Sequence, residues 1–165
     1  MAATYEPIAT TTLGSAASSI TFSSIPATYT DLRVVFVATT SSTSGQVLIR
    51  YNGTTTTLYS NANLYGTGSV VGSNRNNNTS TIDWMQGTFS TTLPQMVTLD
   101  IFSYAGSTNK TTLATYSGDK YGSGYVQNSV FLYRNTAAID TILLYANTGN
   151  FNAGTTATLY GIKSA

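Results

Sequence analysis

The chain contains no cysteine and no histidine, and only 8% of its 165 residues are charged. Without cysteine there can be no disulfide scaffold, thiol nucleophile or thiolate zinc site. Without histidine a Ser-His-Asp triad cannot be assembled, although a Ser-Lys arrangement still can. Missing cysteine leaves the redox compartment open. The charge is low against a typical value of about 25%. Seven Lys and Arg against six Asp and Glu give a net +1, which offers little to nucleic acid or an anionic membrane. No apolar run approaches the roughly 20 residues of a membrane helix. The opening "MAATYEPIATTTLG" has neither a basic n-region nor an apolar h-region, so we expect a chain made in a cytoplasm that acts as it is made.

About thirty Thr, with Tyr, Val and Ile, make the chain β-favouring throughout. Aromatic residues at 12% argue against disorder. The length suits a single domain over residues 1–165. Sequons at Asn52, Asn77, Asn78 and Asn109 are expected by accident in a chain this rich in Asn and Thr.

Short apolar or alternating runs separated by Gly, Asn and Ser predict strands. They are Ile20–Phe22, Leu32–Thr39, Val47–Tyr51, Ile82–Met85, Met96–Tyr104, Thr111–Tyr116, Tyr125–Arg134, Ile139–Ala146 and Thr156–Ile162. Residues 1–14 form an extended N-terminal arm or edge strand. Helix is expected almost nowhere. Nine or ten strands at this spacing predict an all-β antiparallel sandwich of jelly-roll type. Asn52-Gly53 is a tight-turn pair. Ser60 to Ser80 lacks alternation and reads as a long loop, and Ser117 to Gly124 as an exposed tip.

Two runs are apolar on both faces. Leu32, Val34 and Phe36 oppose Val35 and Val37, and Ile142 and Leu144 oppose Leu143 and Tyr145. A sandwich buries only one face, so the second needs a cover. That cover is either the N-terminal segment, a neighbouring loop, or another copy of the protein.

Acid–base chemistry could draw only on Glu6, Asp31, Asp83, Asp100, Asp119 and Asp140, with Lys or Tyr. Asp83 and Asp100 would meet if their strands were neighbours. Strand-end or solvated positions explain each Asp equally well, and no enzyme is expected. The glycine-rich pieces lack the ending of a phosphate loop. One carboxylate, Asp119, among glycines falls short of a calcium ligand set. No cofactor or metal is implied. Tyr65, Arg75 and Trp84 form a candidate glycan patch, the alternative being that Trp84 anchors the core.

The segment "ITFSSIPATYTDLRVVFVA", Ile20 to Ala38, resembles a phrase common near the start of small structural proteins of tailed bacteriophages. The ending "NTGNFNAGTTATLYGIK", preceded by "AIDTILLYA", is similar to their last two strands. The likeness covers the opening and closing thirds, while Gly53 to Leu93 does not align. It implies a jelly-roll virion protein, commonly trimeric, serving as a capsid decoration (cement) protein or a tail or fibre component, and it carries over no catalytic motif. The partners implied are further copies of the chain and the major capsid or tail proteins. Candidate contacts are Tyr5, Pro7, Ile8, Tyr65, Val70, Val71 and Arg75. Read as complete, the chain lacks the long shaft of a fibre, which favours decoration. A tail or fibre protein binding host glycan and a carbohydrate-binding module remain the alternatives.

Overall fold

The computed structural model of the chain describes residues 4–82 and 87–163. Among these, eleven strands form and no helix. They are β1 (Tyr5–Thr12), β2 (Ser19–Phe22), β3 (Asp31–Ala38), β4 (Val47–Tyr51), β5 (Tyr59–Gly66), β6 (Val71–Thr79), β7 (Gln95–Phe102), β8 (Lys110–Asp119), β9 (Gly124–Tyr133), β10 (Ile142–Ala146) and β11 (Thr156–Ile162). Eight strands make one sheet in the order β1-β11-β3-β7-β8-β9-β5-β6, and three make a second in the order β2-β10-β4. The pairings are antiparallel, and the two sheets pack as a sandwich.

Period-two alternation explains the layers. In β3, Leu32, Val34, Phe36 and Ala38 are buried while Arg33, Val35 and Val37 are half-buried on the outward face. Leu159, Val34, Leu99 and Ala114 lie in one register row across β11, β3, β7 and β8, all buried. The small sheet answers with its own buried row, Ile20, Leu144 and Ile49. Each Val, Leu or Ile side chain in these rows contributes about 1.5–3 kcal/mol by leaving water.

Tyrosines extend the core, and the three clustered around Tyr133 keep their hydroxyls hydrogen-bonded. Tyr59 and Tyr133 stack at 4.8 Å between ring centroids, and Tyr51 meets Tyr133 edge-on at 5.6 Å. Tyr51 shares a 2.8 Å hydrogen bond with Thr112, and Tyr133 one of 2.6 Å with Thr54. The Tyr59 hydroxyl accepts the Tyr51 N–H at 2.9 Å. The Asn52-Gly53 pair behaves as expected: both have positive φ, 51° and 63°, and the Thr54 N–H donates to the Tyr51 carbonyl at 3.0 Å. These are the marks of a type I′ turn.

One stretch departs from expectation. Ser60 to Ser80 is not a loop but most of a hairpin, β5–β6, with Ala62 opposite Arg75 and Leu64 opposite Ser73. Its inward positions are mostly amides, Asn61, Asn63, Asn74 and Asn76, with Tyr65 near the turn, so hydrophobic alternation is weak although the strand period is kept. The Asn63 amide donates to Asn74 at 2.6 Å, and Asn61 accepts the Asn76 N–H at 3.2 Å. This hairpin raises the strand number above nine or ten. Of the expected Ile82–Met85 strand, only Ile82 lies within the described residues, where it forms a single bridge to Ile49. The N-terminal segment is an edge strand, β1, paired with β11 and bulged between Pro7 and Ala9.

Candidate functional site

The small sheet faces one side of the large one, and no described strand lies over the other side. Register fixes what is displayed there. Arg33, Asp100, Leu113, Val130, Ala62 and Arg75 form one row from β3 to β6. Around its centre stand Leu64, Val126 and Leu132, with exposures of 57%, 60% and 37%; Leu113 and Val130 expose 44% and 45%. Opposed and diagonal side chains on adjacent strands lie within about 5–8 Å, so these five residues form one apolar patch. Phe102 and Met96 of β7 add exposed apolar surface on the same face. An exposed apolar patch of this kind marks an interaction surface.

Beyond the patch the face turns polar. Arg33 grips Asp100 with two parallel bonds, Nε to Oδ1 at 2.5 Å and Nη2 to Oδ2 at 2.8 Å. That carboxylate pushes the Arg33 pKa up. The same guanidinium lies 5.5 Å from the Tyr5 ring centroid, and Tyr5 meets Tyr160 edge-on at 6.5 Å. Thr10 and Thr158 on one side of Val35, and Thr98 and Thr115 on the other, form a row alongside.

The candidate contact residues fall at the two opposite edges of the large sheet. Tyr5 and Pro7 sit on exposed positions of β1, whereas Ile8 packs against the core. Val70 lies in the β5–β6 turn and Val71 opens β6; both are exposed. Arg75 points outward opposite Ala62. Tyr65 faces inward, stacked on Tyr125 at 5.6 Å, so it and Arg75 lie on opposite faces of the hairpin. These two residues do not converge on one patch, and Trp84 lies outside the described residues, as does Asp83.

The remaining carboxylates each hold a structural partner. Asp100 binds Arg33, and Asp31 accepts the Ser103 N–H at 2.7 Å. Asp119 accepts the Tyr121 N–H at 2.9 Å, and Asp140 the Thr141 hydroxyl at 2.8 Å. Glu6 accepts Lys163 at 2.7 Å and Tyr29 at 3.2 Å, and the Lys163 hydrogen bond draws its pKa down. Among the described residues no three acidic side chains gather into a metal site, and no helix is long and apolar enough to cross a membrane.

The Leu113–Val130 patch was not singled out from the sequence. Its signal was present in β9, where Val126, Val130 and Leu132 alternate with Gln127, Ser129 and Phe131. Which parity faces the core follows only from the opposing sheet. Comparison with known protein families, with characterised proteins and with solved structures finds no match.

Proposed function

We propose that the chain is a non-enzymatic bacteriophage virion protein, a jelly-roll-type homotrimer that decorates and stabilises the head. The outward apolar face carries this reading. A monomer leaves Leu64, Leu113, Val126 and Val130 in water, and another copy of the chain would cover them at a subunit interface. Support also comes from where the phage-like segments fall. Ile20 to Ala38 supplies β2 and β3, the closing segment supplies β10 and β11, and β2 pairs with β10 as β3 pairs with β11. The segments that resemble phage proteins thus form one side of the sandwich, and the hairpin that does not align forms the far edge.

Physically, decoration needs many modest contacts rather than chemistry. A trimer seated where shell subunits meet touches several at once, and its contacts add through effective concentration. Binding only the assembled shell stabilises that state by mass action, about 2.7 kcal/mol at a hundredfold excess over Kd. A chain in which only 8% of residues are charged makes such attachment less sensitive to salt. The deciding experiment strips the protein from particles and measures the temperature of DNA release. Stripped heads should release DNA at a lower temperature and recover when the protein is returned. Equal heat stability of stripped and intact heads overturns the proposal.

A further inference from the structure

The two margins of the large sheet are alike in pairing and unlike in packing. β11 lies between β1 and β3, and β5 lies between β6 and β9, so each has a strand on both sides. At the β1 margin, Ala157 and Leu159 are fully buried and Ile8 packs against the core. At the β6 margin, the inward side chains beyond Tyr59 are Asn61, Asn63 and Tyr65 from β5, and Gly72, Asn74 and Asn76 from β6.

Amides hold such a margin weakly. Apolar burial stabilises a strand in proportion to the area removed from water, whereas a buried amide exchanges one hydrogen bond for another. The Asn63 amide has Asn74 in place of water at 2.6 Å. Asn61 Nδ2 and Asn63 Oδ1 are out of solvent without a partner. Lifting the hairpin returns both atoms to water. The outward side offers little resistance, since Leu64 and Val71 are already 57% and 81% exposed. One aromatic contact, Tyr65 stacked on Tyr125, holds the end near the turn.

The hairpin also carries its own hinge. Tyr59 pairs with Thr79 and Asn61 with Asn76, so Asn77 and Asn78 together stand against Ser60 alone. Asn78 has a φ of 59°, in the left-handed region. A bulge of this kind interrupts the ladder and bends the strand. On its near side Tyr59 is fully buried and stacked on Tyr133, which fixes that end to the core. Aromatic anchoring on one side of the bulge and amide packing on the other set the boundary of a unit.

We infer that residues 60–78 form a flap that lifts from β9 as one unit while the rest of the sandwich stays folded, with the bulge as its hinge. When it lifts, the large sheet ends on β9. Proteins open locally in cooperative units, and those with few buried apolar contacts open first. Hydrogen exchange of the full chain, followed by mass spectrometry and corrected for intrinsic rates, tests this. Amides of residues 61–66 should exchange at least tenfold faster than those of residues 156–162, although both strands are flanked on either side. A copy seated on the outward face would itself slow the flap. The measurement is therefore repeated on Leu113→Asp, which leaves every flap residue in place. Asn63→Val combined with Asn74→Val should slow exchange of residues 61–66 severalfold and leave residues 156–162 unchanged. Equal exchange of the two strands in both the native chain and Leu113→Asp overturns the inference. So does a Val pair that leaves exchange of the flap unaltered.

Discussion

Lys110 shows how a single residue can be placed against its type. It is fully buried, and its ammonium donates to the backbone carbonyls of Gly106, Thr108 and Thr136. Burial lowers its pKa, while three carbonyl acceptors hold the charged form in place. The side chain thereby ties the β7–β8 connection to the segment after β9. Lys110→Met leaves those carbonyls without their donor. Since each unsatisfied buried polar group costs about 1–3 kcal/mol, the loss should be about 3 kcal/mol in chemical denaturation. An unchanged midpoint would contradict this account. Gly161 illustrates a constraint of space. A Cβ there would lie 2.4 Å from the Tyr29 ring, so that ring rests directly on the backbone of β11. Gly161→Ala should cost about 1–3 kcal/mol through overpacking. The same change at Gly53 meets no atom but is strained by its φ of 63°. A calorimetric scan of both variants separates crowding from conformational strain.

At the scale of elements, the β5–β6 hairpin is the least conventional part of the sandwich. Its inward face, continued by Gln127 and Ser129 of β9, is polar yet buried. The Gln127 amide donates to Ser129 at 2.6 Å, but Asn61 Nδ2 and Asn63 Oδ1 have no partner. Replacing the facing pair Asn63 and Asn74 by Val removes one hydrogen bond together with one unpaired acceptor. Apolar replacement of both partners of a buried pair is nearly neutral or stabilising. The double variant should therefore melt no lower than the native chain, whereas Asn74→Val alone should melt lower by leaving Asn63 fully unpaired. Equal melting of the two variants would show that the amide pair is not coupled.

For the molecule as a whole, two outcomes test the architecture. Leu113→Asp with Val130→Asp places charge at the centre of the outward apolar face while sparing the core. If that face is the subunit interface, as proposed, light scattering should show the loss of the proposed trimer, with the circular dichroism of the fold retained; an unchanged mass would remove that face from the interface. The second outcome concerns alkaline pH. Tyr51, Tyr59 and Tyr116 are buried, and burial raises the pKa of each well above 10. The unfolded chain loses these protons near pH 10 while the folded chain keeps them. Their contribution is thus complete below pH 10 and falls as pH rises, by up to about 1.4 kcal/mol per pH unit for each tyrosine. Denaturation midpoints should be lower at pH 11 than at pH 9, and equal midpoints would contradict the burial.

Local sequence sufficed wherever one side of a strand is apolar and the other is not. β4 and β11 occupy the residues that alternation marks, because a two-residue period places every second side chain in one environment. The Asn52-Gly53 turn needed only the tolerance of those residues for positive φ. Tertiary structure decided the rest. β5 and β6 were hidden because hydrophobic patterning detects burial in oil, and their buried face is amide. β10 begins at Ile142 rather than Ile139 because the Ile139 N–H donates to Tyr104 and the Asp140 N–H to Asn52, outside any ladder. The strand order, which seats β3 between β7 and β11, depends on pairings across the whole chain. The outward patch follows from the same cause: Leu113 and Val130 become neighbours only through register, and they are left in water because the three-stranded sheet packs on the opposite face.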